Sequence, residues 1–392
     1  MRATVVHIIT KLELGGAQQN TLYTCDHLDK QRFEVKLISG PDGMLNEEAR
    51  RIENIEFSIA ESLVREIDPK KDAKALWNLT LYFKKLKQSR NLPIIVHTHS
   101  SKAGILGRTA AAAAGCDILI HSIHGFGFDA SNLPFIKNAF KTAERVAAAY
   151  TDHFIAVSEA NRRLGIKMNL FSERNSSLIR SGVNLSEFIL DDRKRDEART
   201  KIRTELGIPK NAPVAILIAC FKPQKAPLDF VSAARIALKS QKNLQFILAG
   251  DGELRSSIEK SVSSAHISHS FRILGWRRDI PQLLAASDIL VLTSRWEGLP
   301  RVIPQAMCAK LPIVATNVDG IPEAVIHKKN GILCSPGDVS GIAEGIVKLA
   351  DDKKLRKAFG EEGFSRAAEW DIDEMVKKQE ALYEKLLSEK GL

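Results

Sequence analysis

The chain has 392 residues, of which 44% are hydrophobic and 27% charged, with a formal net charge of +10 at pH 7. That length exceeds one ordinary core and sets two domains as the expectation, while the composition excludes a disordered or fibrous chain. The positive charge favours acidic partners, among them an anionic lipid surface, a nucleic acid or a phosphorylated substrate, without choosing between them.

The N-terminal "MRATVVHIIT" is too short and too punctuated for a signal peptide and reads as a buried strand. No window approaches the ~20 apolar residues that span a bilayer, so any membrane contact is expected to be peripheral. Five scattered cysteines without a C-x-x-C pair argue against a disulfide framework or structural zinc and fit a reducing cytoplasm.

In chain order, "TVVHII", "FEVKLIS", "IIVHTH", "DILIHSIH" and "HFIAVS" read as buried strands. Helical segments such as "AQQNTLYTCDHL", "ILGRTAAAAAG" and "NAFKTAERVAAAY" separate them, the mark of stacked βαβ units on a parallel sheet. The charged stretch "NLSEFILDDRKRDEARTKIRTELGIPKNA" then reads as irregular and places the domain boundary within residues 185–210. The alternation restarts with "PVAILIAC", "LQFILAG", "FRILG", "DILVLTS" and "PIVAT". Two α/β domains are therefore expected, residues 1–190 and 191–370. Residues 371–392 follow as a helix with Met375, Leu382, Leu386 and Leu387 on one side.

In such sheets ligands bind beyond the carboxyl ends of the strands, and with two facing domains the cleft between them is the expected site. Gly15 and Gly16 in "KLELGGAQQN" let bare N–H groups approach a phosphate at a helix N-terminus, although the same pair also serves a plain turn. The stretch is not G-x-G-x-x-G, so dinucleotide binding is not indicated. His97 and His99 share a strand face, as a metal pair would, but no third ligand accompanies them in the sequence and no metal is expected. His124 precedes the glycine-rich "GFG". It reads either as part of a close-approach loop or as a strand-end histidine satisfied by backbone groups.

Lys222 and Lys225 leave a strand just before Pro227 opens a helix, which makes an anion site. In "SRWEGLPRVIPQAMCAK", Pro300 and Pro304 predict a helix beginning near Leu299 to Arg301, with the N–H groups of Gly298 and Leu299 turned to an anion. Glu297 ahead of that helix and Gln305 within it can face one molecule. A carboxylate accepts from vicinal hydroxyls, so the combination suits a sugar joined to a phosphate.

The string "SRWEGLPRVIPQAMCAKLPIVATNVDGIPEAV", followed by "NGILCSPGD", resembles the donor-binding core of the family 4 retaining glycosyltransferases of GT-B fold. "GGAQ", "HTHSSKAGILGR", "HGFGFD", "FIAVSEANR", "RSGVN", "PQKAPLDF", "LAGDGELR" and "LGWRRDI" extend the resemblance, in the family's order, over nearly the whole chain. It implies two Rossmann-like parallel-sheet domains facing across a cleft. Residues 1–190 would bind the acceptor, residues 191–370 the nucleotide sugar, and the helix of 371–392 would pack back on the N-terminal domain.

The implied reaction moves a sugar from a nucleoside diphosphate, UDP being expected, to an acceptor hydroxyl with retention and with no metal or other cofactor. Glu297 would hold donor-sugar hydroxyls, and Lys225 with Lys222, Gly298 and Leu299 would hold the diphosphate. Gly15 and Gly16 match the loop that approaches it, His124 matches the active-site histidine that orients the sugar, and Trp276 and Arg277 lie in the loop expected near the nucleobase. Two positions depart from the family pattern: Gln305 stands where a glutamate usually meets the ribose, and Cys220 where an arginine usually precedes the lysine. These departures keep open a catalytically silent nucleotide-sugar binder, and fold alone also leaves room for an epimerase.

Asp371 and Asp373, the one D-x-D, read as helix capping. The expected acceptor is a lipid-linked saccharide in surface polysaccharide assembly, with no nucleic-acid partner and a cytoplasmic location at or near the inner face of the membrane. "LWNLTLYFKKLKQSR" reads either as a basic amphipathic helix on anionic lipid or as a packed helix with a solvated charged face, and "NLPFIKNAFK" as an acceptor entrance.

Overall fold

The runs of β-branched residues fold as two parallel sheets. The computed structural model describes residues 2–89, 91–126 and 134–392, with side chains in the last segment from residue 138 onward. The chain divides into two units: Met1–Gly182 together with Ile372–Leu392, and Val183–Asp371. Residues 183–190 thus lie with the second unit, not the first.

The first unit holds β1 (Ala3–Ile9), β2 (Phe33–Ser39), β3 (Ile55–Ile59), β4 (Ile94–His99), β5 (Ile118–Ile123), β6 (His153–Ala156) and β7 (Ser176–Leu178). Their order is β3-β2-β1-β4-β5-β6-β7. The second unit holds β8 (Val214–Ile218), β9 (Gln245–Ala249), β10 (Phe271–Ile273), β11 (Ile289–Leu292), β12 (Ile313–Thr316) and β13 (Gly331–Cys334), in the order β10-β9-β8-β11-β12-β13. Helices cover both faces of such sheets, which is why β8 and β11 are continuous apolar runs, while β1 and β4 are as buried but carry histidines towards their carboxyl ends. Strands β3, β7 and β13 are additions to the runs read from the sequence. They are short sheet edges of three to five residues and only partly buried, so each leaves too brief a run to mark a strand.

The strand order reverses between β1 and β4 and again between β8 and β11, and in parallel sheets a ligand crevice opens at such points. Register places His7 of β1 opposite His97 of β4, and Ile9 opposite His99.

The charged stretch expected to be irregular instead contains a helix, Asp192–Glu205. It has little apolar face because polar contacts dock it. Arg199 and Arg203 each reach Asp288 at 2.8 Å, and Arg203 also donates to the carbonyls of Lys210, Ala212 and Ala286. Asp288 in turn accepts from the backbone N–H of Val214, so one carboxylate joins the helix to the start of β8.

The C-terminal helix Ile372–Glu389 packs in the first unit, where Met375, Leu382, Leu386 and Leu387 share a core with Val5, Leu22, Phe33 and Val35. Tyr383 is fully buried there, edge-on to Phe33 with ring centroids 5.7 Å apart. The Asp373 carboxylate, in the helix's first turn, accepts a hydrogen bond from the Tyr23 hydroxyl at 2.6 Å. Among the described residues no helix is long and apolar enough to cross a membrane.

Leu387 is 1% exposed, so Leu387→Ala is expected to cost the first unit about 2–5 kcal/mol by opening a cavity. Urea denaturation measures it; a cost well under 1 kcal/mol would mean that the helix is only loosely docked.

Candidate active-site residues in the two units

In the second unit the loops after β8, β9, β10, β11 and β12 all emerge at the carboxyl edge and hold one another. After β8 the chain passes Cys220 and Lys222, turns through the short 3-10 segment Pro223–Lys225, and enters the helix Pro227–Ser240 that Pro227 was expected to open. The junction residue Ala226 is forced left-handed, φ 44°, a conformation costly for a residue with a Cβ. The Thr293 hydroxyl, just past β11, lies 2.9 Å from the carbonyls of both Lys225 and Ala226 and stabilises the turn.

This turn brings Lys225 against Glu297: Nζ to Oε1 is 2.5 Å, with Glu297 only 5% exposed. The same carboxylate oxygen accepts from the Ser294 hydroxyl at 2.6 Å. The Glu297 N–H donates to Asp319, at 2.6 Å, and Asp319 is itself left-handed at φ 41°. Backbone N–H of Arg295 to the Gln224 carbonyl, 2.7 Å, and the Gln224 amide to the Trp296 carbonyl, 3.0 Å, stitch the two loops together. A cation and a carboxylate thus share one spot, with strain spent around them to keep it.

The helix expected from Leu299 to Arg301 begins later, spanning Val302–Cys308, with Pro304 in its first turn and Pro300 outside it. Gly298 and Leu299 are buried ahead of a helix of only seven residues. Gln305 is half-buried within that helix, and its side-chain amide makes no hydrogen bond among the described residues. Gly250 and Gly252 are required where the β8 and β9 loops meet, because a Cβ on Gly250 would stand 1.8 Å from the Ala219 carbonyl oxygen. Gly250 also bridges to Gly275, which carries the next residue, Trp276, into solvent at 39% exposure. Arg277 is held differently: its guanidinium is bound by Glu205 at 2.7 Å and by both oxygens of Asp279, which raises its pKa and leaves it spoken for within the unit.

In the first unit, Gly15 caps the helix Gly16–His27 in extended conformation with no side-chain cap, and a Cβ there would meet Gln18 Oε1 at 2.7 Å. At the β1/β4 crevice lies a cavity of 470 Å³ lined by Thr10, Lys11, Gln18, Arg65, Ser100 and Lys102 among others. Hydroxyls, an amide and cations in one cavity suit a polyhydroxylated ligand. Ser100, left-handed at φ 63°, bonds the Thr10 hydroxyl at 2.7 Å and ties the two strand ends.

Beneath this edge is a group of imidazoles, with His7, His97 and His99 buried and His124 half-buried. His124 Nε2 lies 3.2 Å from His99 Nδ1, and His99 Nε2 lies 3.0 Å from His7 Nδ1. His97 is hydrogen-bonded at both nitrogens, to the Tyr383 hydroxyl at 2.5 Å and to the Ser122 hydroxyl at 2.7 Å. His7 is thus the third imidazole that the sequence did not reveal beside His97 and His99; its signal was the polar residue inside "TVVHII". Ligand nitrogens of His7, His97 and His99 fall within 4.8 Å of one another, but these nitrogens bond each other and nearby hydroxyls, and among the described residues no carboxylate joins them to offset a cation's charge. Gly127, Phe128 and Asp129 of the loop after His124, with Asn132 and Leu133 of "NLPFIKNAFK", fall outside the described residues, and the rest of that stretch opens the helix Pro134–Ala148.

Residues 14–187 match the family described as Glycosyltransferase Family 4, and residues 198–366 match Glycosyl transferases group 1. An Escherichia coli UDP-Gal:alpha-D-GlcNAc-diphosphoundecaprenol alpha-1,3-galactosyltransferase is 32% identical over 90% of this chain and 89% of its own. The chain belongs to glycosyltransferase family 4. A second relative of this family 4 chain, the Staphylococcus aureus capsular polysaccharide biosynthesis glycosyltransferase CapM, is 24% identical over 93% of each. In fold, the chain is similar to Anabaena HepE in complex with UDP and glucose, with a TM-score of 0.81 at 19% identity over 97% of this chain and 99% of that one. The fold is therefore GT-B, with two Rossmann-like units, and the protein is a glycosyltransferase.

Within this family 4 enzyme the histidine group has a pH signature. Burial pushes His124 down to about 4 and His7 to about 3, and holds His97 and His99 well below the usual imidazole range. In the unfolded chain each takes a proton near 6.5. As pH falls below that value the unfolded state gains protons that the folded state refuses, so stability is present above about 6.5 and is lost towards 4, by up to ~1.4 kcal/mol per pH unit per histidine. The first unit is expected to lose stability steeply in this window and the second, whose histidines 266, 269 and 327 are exposed, far less. Hydrogen exchange at a series of pH values reads both units; equal slopes would contradict the assignment.

Proposed function

We propose that this glycosyltransferase transfers a sugar from a UDP-sugar to a hydroxyl of a lipid-linked saccharide, with retention and without a metal ion. The observation that carries the reading is the Lys225–Glu297 contact, a phosphate-binding cation and a hydroxyl-binding carboxylate held together on a strained frame at a topological switch point. The galactosyl donor and diphosphoundecaprenol-linked acceptor in the name of the Escherichia coli relative make UDP-galactose and such a lipid the first pair to test.

The acceptor oxygen bonds to the anomeric carbon as the bond from that carbon to the β-phosphate oxygen breaks. The bonding pair leaves with the phosphate, and that oxygen takes the acceptor's proton on the same face, so UDP departs and configuration is retained. Lys225, with Lys222 beside it, stabilises the charge growing on the phosphate. Glu297 and His124 orient the sugar, Gln305 accepts from the ribose, and the N–H groups at Gly15 and Gly16 approach the diphosphate. Trp276 lies by the base. Arg277 serves by holding its loop, since its guanidinium is bound to Glu205 and Asp279.

A lipid acceptor calls for contact with its bilayer. The helix Pro69–Ser89 buries Leu79, Phe83 and Leu86 but exposes Trp77 at 66% and Leu81 at 41%, among Lys70, Lys71, Lys74, Lys84 and Lys85. An apolar pair ringed by lysines fits the surface of an anionic membrane.

Transfer is expected to continue in excess EDTA, and Glu297→Ala to abolish most of it while UDP binding, read by calorimetry, stays equal or tightens because Lys225 is released. Activity restored only by added magnesium, or UDP affinity lost with Glu297, would contradict these roles. The double variant Trp77→Ser/Leu81→Ser is expected to lower co-sedimentation with phosphatidylglycerol vesicles about tenfold or more, given the apolar area removed; unchanged binding would place the membrane contact elsewhere.

A further inference from the structure

We propose that His99 and His7 are positioning residues for His124, forming with it a hydrogen-bonded chain of three imidazoles that fixes the His124 tautomer with its proton on Nδ1. The links are His124 Nε2 to His99 Nδ1, 3.2 Å, and His99 Nε2 to His7 Nδ1, 3.0 Å. His97 stands beside the chain and outside it, since the Tyr383 and Ser122 hydroxyls occupy its two nitrogens.

A neutral imidazole has one N–H and one lone pair. Once one link has a direction, the other must follow it, because His99 gives its single proton to one neighbour and accepts from the other. If the protons point inward, His7 ends the chain with an N–H on Nε2. That nitrogen is buried with no hydrogen-bond partner among the described residues, and His7 as a whole is 0% exposed. If they point outward, His7 Nδ1–H donates to His99, His99 Nδ1–H donates to His124, and the orphaned Nε2 of His7 is only a lone pair.

Buried N–H groups without a partner are rare in proteins. The outward direction therefore holds: the unshared N–H falls on Nδ1 of half-buried His124, for which the described residues offer no partner, and not on fully buried His7. His124 is thus a hydrogen-bond donor, able to hold a sugar hydroxyl or a charged phosphate oxygen, and at that nitrogen it is not a base. This fits a reaction in which the leaving phosphate takes the acceptor's proton. The contact with the donor rests on the function proposed above; the tautomer does not.

The test is a two-bond ¹H–¹⁵N correlation spectrum of the full chain labelled in histidine, at neutral pH and without substrate. Nδ1–H forms of His7, His99 and His124 are expected, and Nε2–H forms would overturn the proposal. His7→Phe removes the donor at the chain's end. It is expected to mix the tautomers of His99 and His124 and to lower kcat about tenfold with KM unchanged, the scale of one hydrogen bond. His7→Asn, whose side-chain amide can stand where Nδ1 stood, is expected to restore both. Unaltered tautomers and kcat in a folded His7→Phe would also overturn it; if that variant does not fold, the wild-type spectrum decides. The expected spectrum together with full transfer by His124→Ala would uphold the chain and remove His124 from the reaction.

Discussion

Because every strand in both sheets runs parallel to its neighbours, all the loops that follow the strands leave at one edge, and each must be satisfied there by another loop. In the second unit this happens in a continuous series: Gly275 to Gly250, Phe221 to Asp251, Thr293 to Lys225 and Ala226, Glu297 to Asp319. The Lys225–Glu297 contact depends on this series, since Glu297 sits in a loop and Lys225 at the end of a three-residue 3-10 turn. Residues as distant in sequence as Thr293 and Ala226 fix the backbone from which Lys225 projects.

The two units solve the burial of polar groups in opposite ways. The second keeps charges and pairs them: Arg199 and Arg203 on Asp288, Lys225 on Glu297. The first, near its crevice, uses rings that remain neutral, and desolvation rather than pairing sets their protonation. A neutral network avoids the several kcal/mol that each buried ion costs, and it yields directional hydrogen bonds that a point charge lacks. Charges are also paired elsewhere in that unit: Arg108, on the helix Ser101–Ala114, meets Glu144, both buried, and buried Lys36 of β2 meets Glu34 and Glu56.

Legibility in the sequence followed the kind of force involved. Central strands such as "TVVHII" and "DILVLTS" announced themselves because burial on both faces demands apolar residues. The helix Asp192–Glu205 did not, because its docking relies on arginines meeting carbonyls and Asp288, contacts that no periodicity encodes. Edge strands like "GILC", four residues long, were too short to register as strands. Of the candidate site, Lys225 and Glu297 could be named from motif resemblance, but their direct contact could not, nor could the parts of Ser294 and Asp319 in holding Glu297. His7 was hidden for a similar reason: 90 residues separate it from His97, and only strand register makes them neighbours.

The C-terminal helix has a consequence for biosynthesis. Tyr383, Leu386 and Leu387 complete a core whose other members, Val5, Leu22 and Phe33, lie near the start of the chain. The whole of Val183–Asp371 is made between them. On the ribosome, the second unit can therefore finish folding first, while the earlier-made half waits with an uncovered apolar face until its last helix emerges. Chaperone demand during translation should accordingly concentrate on the portion of the protein that was synthesised earliest.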